Sequence, residues 1–186
     1  MIFGIYYNDE RATYLDYVQP AFTFDDVAIF VVKGKVFPFT GQDDLIGKKG
    51  VTNQGESYGN EFDAFMNDKL DVARANGIDA AFKDLLDGKA DYLIAGYFPG
   101  LAEAAKEGNK DKVVALNQAL LSQEMFVAFS KKSPCRSLAS KFTKSLGSEK
   151  QVAHVRLQAK PPVACALRLN QAGRPTSGAP TGRRCA

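Results

Sequence analysis

The chain has 186 residues, 45% of them apolar and 24% charged, with a single histidine and three cysteines. That length suits one ordinary domain or two small ones, and the apolar share supports a packed core, so disorder is not the default. The net charge of +3 misleads: residues 151–186 hold six Lys or Arg and no acid, leaving 18 basic against 21 acidic side chains, a net of −3, in residues 1–150, so the main body offers no basic stripe to nucleic acid.

The opening MIFGIYYNDER has neither a basic n-region nor a sustained apolar h-region and does not read as a signal peptide. No run of about 18 apolar residues predicts a transmembrane helix. Ile2–Tyr6 predicts a short strand, and DDVAIFVVK, Asp25–Lys33, a longer buried one rich in β-branched residues. Gly34, Pro38 and Gly41 mark a loop, Asp43–Gly47 a single helical turn, and Gly50–Asn53 a short strand. A helix is expected over Ser57–Lys69, with Phe62, Phe65 and Met66 at helical spacing. Asp71–Ala75 reads as a strand and Asp79–Asp87 as a second helix, with Ala81, Phe82, Leu85 and Leu86 on one side and Gly88 as its stop. Ala90–Ala95 follows as a strand, then a third helix from Pro99 through Lys106, since proline favours a first helical turn. Strands at Val113–Leu116 and Glu124–Ser130 and a helix over Ser137–Leu146 complete the body. Strands alternating with helices predict an α/β fold with largely parallel sheets.

After Lys150 the composition changes. QVAHVRLQAKPPVACALRLNQAGRPTSGAPTGRRCA holds four of the eight prolines, no acid and no clean periodicity; it reads as an atypical, irregular tail, in the manner of a GC-rich frame translated out of phase. Cys135, Cys165 and Cys185 fit no zinc spacing, and no metal site is expected. The one histidine, His154, lies in that tail, so Ser-His or Cys-His catalysis lacks a base in the body. There is no P-loop and no G-x-G-x-x-G, and no cofactor is expected. The pairs Asp25-Asp26 and Asp43-Asp44 fall where turns are expected and read as solvated caps.

Two places invite a ligand. In VTNQGESYGNEF, Gly55-Glu56-Ser57 stands between a strand and a helix start, where free backbone N–H groups attract anions; Ser57 reads either as part of such a seat or as a plain N-cap. Arg11 offers a planar fork that can grip a carboxylate through two parallel bonds, or it is a solvated arginine beside Glu10.

Three local patterns, in this order and spacing, resemble the polar amino-acid solute-binding proteins of ABC importers, with the type II periplasmic binding fold. Asn8-Asp9-Glu10-Arg11 followed by Val18-Gln19-Pro20-Ala21-Phe22 occupies the place of a Thr-Pro-Glu-Arg-like stretch and Phe-Ser-x-Pro-Tyr. Asp44-Leu45-Ile46-Gly47-Lys48-Lys49-Gly50-Val51, then Gln54-Gly55-Glu56-Ser57-Tyr58, is similar to D-L-x-G-K-x-x-G-V with its Gly-Thr-Thr turn. Leu86-Asp87-Gly88-Lys89-Ala90-Asp91 resembles L-x-x-G-x-x-D-A, and Phe126–Pro134 a second crossover strand ending in Lys-x-Ser-Pro.

The resemblance covers roughly residues 1–146. It implies a periplasmic-binding-protein-like α/β fold with one complete lobe, 36–123, and a partial one, 1–35 with 124–150, joined by two crossover strands. It also implies some seventy residues of family sequence before the equivalent of Ile2, so unpaired apolar edges would leave the partial lobe marginal or inclined to self-association. Function follows the same resemblance: a periplasmic solute-binding component that carries a polar amino acid or small carboxylate between its lobes to an ABC permease. Arg11 would hold the ligand carboxylate, helped by the turn Gly55, Glu56, Ser57 and the adjoining Tyr58. Gly4 and Tyr6 match positions that contact the ammonium, although Tyr6 replaces a small hydroxyl residue. The acid expected at the ammonium is replaced by Gly96. The alternatives are an enzyme on the same fold, of dehydratase or lyase type, or a fragment without function.

Overall fold

A computed structural model describes residues 1–106 and 108–147; what was expected of the tail, including His154, Cys165 and Cys185, lies outside the described residues. Eight strands form one mixed sheet: β1 (Ile2–Tyr6), β2 (Leu15–Tyr17), β3 (Thr23–Val32), β4 (Lys49–Asn53), β5 (Asp71–Ala75), β6 (Tyr92–Gly96), β7 (Val113–Ala115) and β8 (Leu121–Ser130). The helices are α1 (Asp9–Ala12), α2 (Asn60–Lys69), α3 (Ile78–Leu86) and α4 (Tyr97–Ala104), with 3-10 turns at Gln42–Leu45 and Pro134–Leu138 and a further helix over residues 139–147. Strand order is β1-β8-β3-β6-β4-β5, with β2 also on β8 and β7 also on β3.

The two ten-residue strands organise the sheet. Thr23–Val27 of β3 pairs antiparallel with Met125–Leu121 of β8. Beyond that shared ribbon they part: the second half of β3 pairs with β6 and β7, and the second half of β8 with β1 and β2. The run VAIFVV is apolar without a break because the strand is covered on both faces. Val27, Ile29 and Val31 point into a core with Tyr58, Phe62, Met66, Tyr92 and Ile94, while Ala28 and Phe30 point into another with Phe82, Leu85 and Leu93. This is the strand period of two made visible. A smaller third cluster, Val18, Val127 and Phe129, lies under Phe142. The sheet edge at β1 carries exposed apolar side chains, Ile2 and Phe3.

Four sequence expectations need correction. The sheet is not largely parallel: only β5-β4-β6, the part linked through α2 and α3, is parallel, and every other pairing is antiparallel. Strand alternation with helices does not fix direction where β3 and β8 run oppositely through the centre and their neighbours pair onto them. The first long helix starts at Asn60 rather than Ser57, because Gly59 at φ 98° stands in an extended, left-handed-side conformation that no helix continues through. The third helix starts at Tyr97, with Pro99 inside its first turn, where a missing N–H costs no hydrogen bond. The strand expected from Asp25 begins at Thr23, so the Asp25-Asp26 pair read as a solvated cap lies within β3 and Asp25 is buried.

Close packing fixes one glycine. A Cβ on Gly100 would stand 2.2 Å from Cζ of the fully buried Phe30, so only a hydrogen lets α4 approach β3. Among the described residues no helix is long and apolar enough to cross a membrane, and no group of His, Cys, Asp and Glu is arranged to hold a metal.

Candidate ligand-binding site

β1 ends at Tyr6 and the chain turns at once into α1. Asn8, extended at φ −149° and ψ 160°, caps that turn of helix by accepting the Arg11 N–H at 2.7 Å. The cap directs Arg11 back over the end of β1. Its Nη1 donates to the Tyr6 carbonyl at 3.3 Å, and its Nη2 reaches the Gly55 carbonyl at 2.9 Å. A guanidinium has five N–H donors, and these bonds use two.

Gly55 belongs to the turn after β4. The Glu56 N–H closes that turn on the Asn53 carbonyl at 3.2 Å, with Gly55 at φ 81°. Arg74 donates to the Glu56 carbonyl at 2.7 Å and ties the turn to β5. The expected helix mouth does not begin here. Asp63, in the first turn of α2, reaches back: Oδ1 accepts the Tyr58 N–H at 2.8 Å, and Oδ2 accepts the Ser57 hydroxyl at 2.5 Å. Ser57 Oγ in turn accepts from Asn8 Nδ2 at 2.7 Å. The place read as an anion seat is thus already capped by this chain's own carboxylate.

Gly4, Tyr6, Arg11, Gly55, Glu56 and Tyr58 all line one cavity of about 510 Å³, within the usual range for small-molecule sites. Ser57 does not line it; it borders the neighbouring hollow with Asn8, Asp63 and Arg74, which Arg11 also touches. Gly4 sits at a register shift between β1 and β8, at φ 81°, where a side chain would be strained and would crowd Met125. Tyr58 forms a fixed wall, with its hydroxyl donating to the Ile94 carbonyl at 2.9 Å and sharing a 2.6 Å bond with Thr52 Oγ1. Burial raises the Tyr58 hydroxyl well above the ordinary tyrosine range.

The residue sequence reasoning missed is Asp25. It lines the same cavity although the residue is only 6% exposed. Its Oδ2 accepts the Tyr6 hydroxyl at 2.6 Å. Burial first, and then this bond to Asp25, push the Tyr6 hydroxyl far above its ordinary range, so Tyr6 is the proton donor of the pair at neutral pH. The signal was present: Asp25 continues the buried face of Val27, Ile29 and Val31 at strand spacing. Gly96 faces it. Val27 pairs with Gly96, and a Cβ on Gly96 would stand 2.9 Å from Asp25 Oδ2.

Comparison with known proteins places this geometry in a fold. No protein-family model matches the chain, and no curated protein sequence matches it. Solved structures do. ArgBP from T. maritima, in a mutant form, is similar with a TM-score of 0.63 at 21% identity, over 83% of this chain and 64% of that one; an arginine-bound, truncated form of ArgBP is similar at a TM-score of 0.61. The GluR0 ligand-binding core in complex with L-glutamate gives a TM-score of 0.64 at 14% identity, over 81% of this chain and 66% of that one. A Wolinella succinogenes protein complexed with lysine, described as a binding component of an ABC transporter, gives 0.62 at 22% identity, over 80% of this chain and 62% of that one. The chain therefore spans under two thirds of the length of these proteins. At such identities the likeness establishes the fold: a periplasmic-binding-protein-like α/β architecture, one lobe with part of a second.

Proposed function

We propose that the cavity binds a polar α-amino acid or a related small carboxylate, and that the chain acts outside the cytoplasm as a solute-binding component delivering its ligand to an ABC permease. In this reading residues 1–35 and 124–150 form one lobe and 36–123 the other, and the ligand is held where they meet. The observation that carries the proposal is the opposition of charges in one cavity: the Arg11 guanidinium and the Asp25 carboxylate both line it, with Tyr6 and Tyr58 as aromatic walls. Arg11 takes the ligand carboxylate as a two-pronged donor. Gly4, Tyr6, Gly55, Glu56 and Tyr58 surround it, and Ser57 supports from behind through Asn8. Proteins of similar fold carry arginine, L-glutamate and lysine, each of them an α-amino acid.

Titration calorimetry against a panel of amino acids and small carboxylates tests this. Arg11→Ala is expected to weaken binding by roughly 10- to 100-fold, the worth of a charged hydrogen-bonded pair, while Arg11→Lys recovers only part, since it lacks the fork. The ligand should be recovered chemically unchanged. Absence of heat with every panel member, or conversion of a ligand to product, would overturn the proposal.

A further inference from the structure

We infer that Asn8 and Ser57, with Asp9 and Asn60 beside them, form a latch that closes the two lobes on each other before any ligand arrives. These residues set affinity without lining the ligand cavity. The inference rests on the two-lobe binding reading above and adds to it a resting state: the cleft is shut by the chain's own hydrogen bonds, and the latch raises affinity for every ligand alike.

Three observations converge. First, one short segment is tied to the facing turn at three points. Asn8 Nδ2 donates to Ser57 Oγ at 2.7 Å, the Asp9 N–H to Asn60 Oδ1 at 3.1 Å, and Arg11 Nη2 to the Gly55 carbonyl at 2.9 Å. In the reading above, residues 8–11 belong to one lobe and 55–60 to the other, so a rotation that parts the lobes stretches all three bonds. Asn8 and Ser57 are 8% and 7% exposed, which keeps water from competing for the bond between them.

Second, the central bond is fixed in direction at both ends. Asn8 Oδ1 is committed to the Arg11 N–H at 2.7 Å, which turns Nδ2 toward Ser57. At the other end the Ser57 hydroxyl gives its one proton to Asp63 Oδ2 at 2.5 Å and so presents a lone pair to Asn8. The relay from α2 to α1 is thus complete without a ligand.

Third, the latch lies behind the ligand cavity. Asn8, Ser57, Asn60 and Asp63 border the neighbouring hollow, and none of them lines the cavity that Arg11 and Gly55 reach. Asn8 also caps the turn of helix that carries Arg11, so the bond that closes the lobes fixes the proposed ligand-holding arginine as well. A ligand that meets closed lobes need not drive the closure; its apparent dissociation constant is the intrinsic one divided by the closed fraction.

The test reads closure with and without ligand. The chain has no tryptophan, so Tyr14→Trp, at a 51% exposed position in the hollow beside the latch, gives a single reporter whose quenching by acrylamide reports opening. Alone, it is expected to be quenched equally with and without ligand. Adding Ser57→Ala should raise quenching in the absence of ligand. So should Asn8→Asp, which keeps an acceptor for the Arg11 N–H but offers Ser57 no donor. In calorimetric titrations with L-arginine, L-lysine and L-glutamate, Ser57→Ala and Asn8→Asp should each weaken every measurable affinity by one common factor, about fivefold or more. Phe82→Leu, which loosens the second core away from the latch, should lower the melting temperature and leave quenching and affinity unchanged. Circular dichroism checks the fold of each variant. The latch is refuted if ligand protects the Tyr14→Trp reporter in an otherwise wild-type chain, or if Ser57→Ala and Asn8→Asp leave quenching or affinity as in wild type; the binding reading then stands. If none of the three amino acids binds wild type at about 10 mM, the binding reading falls and ligand-free quenching alone decides the latch. Should one latch variant fail to fold, the other decides; should both fail, the ligand dependence of the reporter in the otherwise wild-type chain decides.

Discussion

The bond between Tyr6 and Asp25 can be removed almost without touching the packing around it. Tyr6→Phe deletes one oxygen from a residue that is 7% exposed and leaves the ring where it stands against Tyr58. The lost bond is short, 2.6 Å, and its acceptor is a carboxylate that is itself 6% exposed. A bond to a charged group contributes about 1.5–3 kcal/mol, because its loss leaves a buried charge short of a donor. For a domain of this size each kcal/mol moves the melting temperature by about 2–4 °C, so Tyr6→Phe should lower it by about 3–12 °C. Tyr7→Phe is the control: its hydroxyl donates to Asp9 at 3.1 Å on the exposed surface, where such bonds contribute well under 1 kcal/mol. Differential scanning calorimetry of the two variants in one buffer measures the contrast. Equal shifts for Tyr6→Phe and Tyr7→Phe would refute the reasoning that Asp25 is a buried anion sustained by Tyr6. In a double-mutant cycle, Tyr6→Phe and Asp25→Asn should couple by about 1 kcal/mol or more.

Gly100→Ala places a methyl against Phe30 and should destabilise by about 1–3 kcal/mol through overpacking, read as a lower urea midpoint at constant slope; an unchanged midpoint would show that α4 is free to shift. Ser57→Ala breaks the chain from Asn8 through Ser57 to Asp63 and should cost about 1–2 kcal/mol in the same assay, with no change in ligand preference. The hydroxyls of Tyr6, Tyr58 and Tyr92 are all raised above their ordinary value of 10.0, chiefly by burial. A raised folded pKa means that the unfolded chain loses the proton first. The stability these groups contribute is therefore full below pH 10.0 and is lost as pH rises beyond it. Phenolate absorbance should show them ionising only together with unfolding, and early ionisation without unfolding would contradict their burial.

The long strands were legible because burial on both faces writes an unbroken apolar run, as in Val27–Val31. Helices α2 and α3 were legible through the spacing of Phe62 and Met66, and of Ala81, Phe82 and Leu85. The elements that escaped, α1 and β2, have four and three residues, too short for a period to show; β2 exists because Leu15–Tyr17 finds Ser130–Ala128 far along the chain. Strand direction escaped for the same reason, since pairing between β3 and β8 joins segments about a hundred residues apart. Arg11, Gly55 and Tyr58 stood out as residues with chemistry in a suggestive place. Asp25 did not, because an acid doublet before an apolar run reads locally as a turn, and only its alignment with Val27 and Ile29 betrays a buried position. The shift of the α2 start past Ser57 required knowing that Gly59 takes a positive φ and that the Ser57 hydroxyl is engaged on both sides, accepting from Asn8 and donating to Asp63.

The ribbon shared by β3 and β8 has a mechanical meaning. Two antiparallel strands twist and flex without surrendering their rungs, so a bend centred there needs no hydrogen bond to break. Asp25 faces Gln123 at the middle of that ribbon, whereas Arg11 and Gly55 lie out along the arms. Rotation about such a pivot sweeps the arms through a wide arc and scarcely displaces the fulcrum. Under the binding reading proposed above, such a rotation would leave Asp25, at the centre of the ribbon, nearly in place, and would stretch the bond between Arg11 and the Gly55 carbonyl.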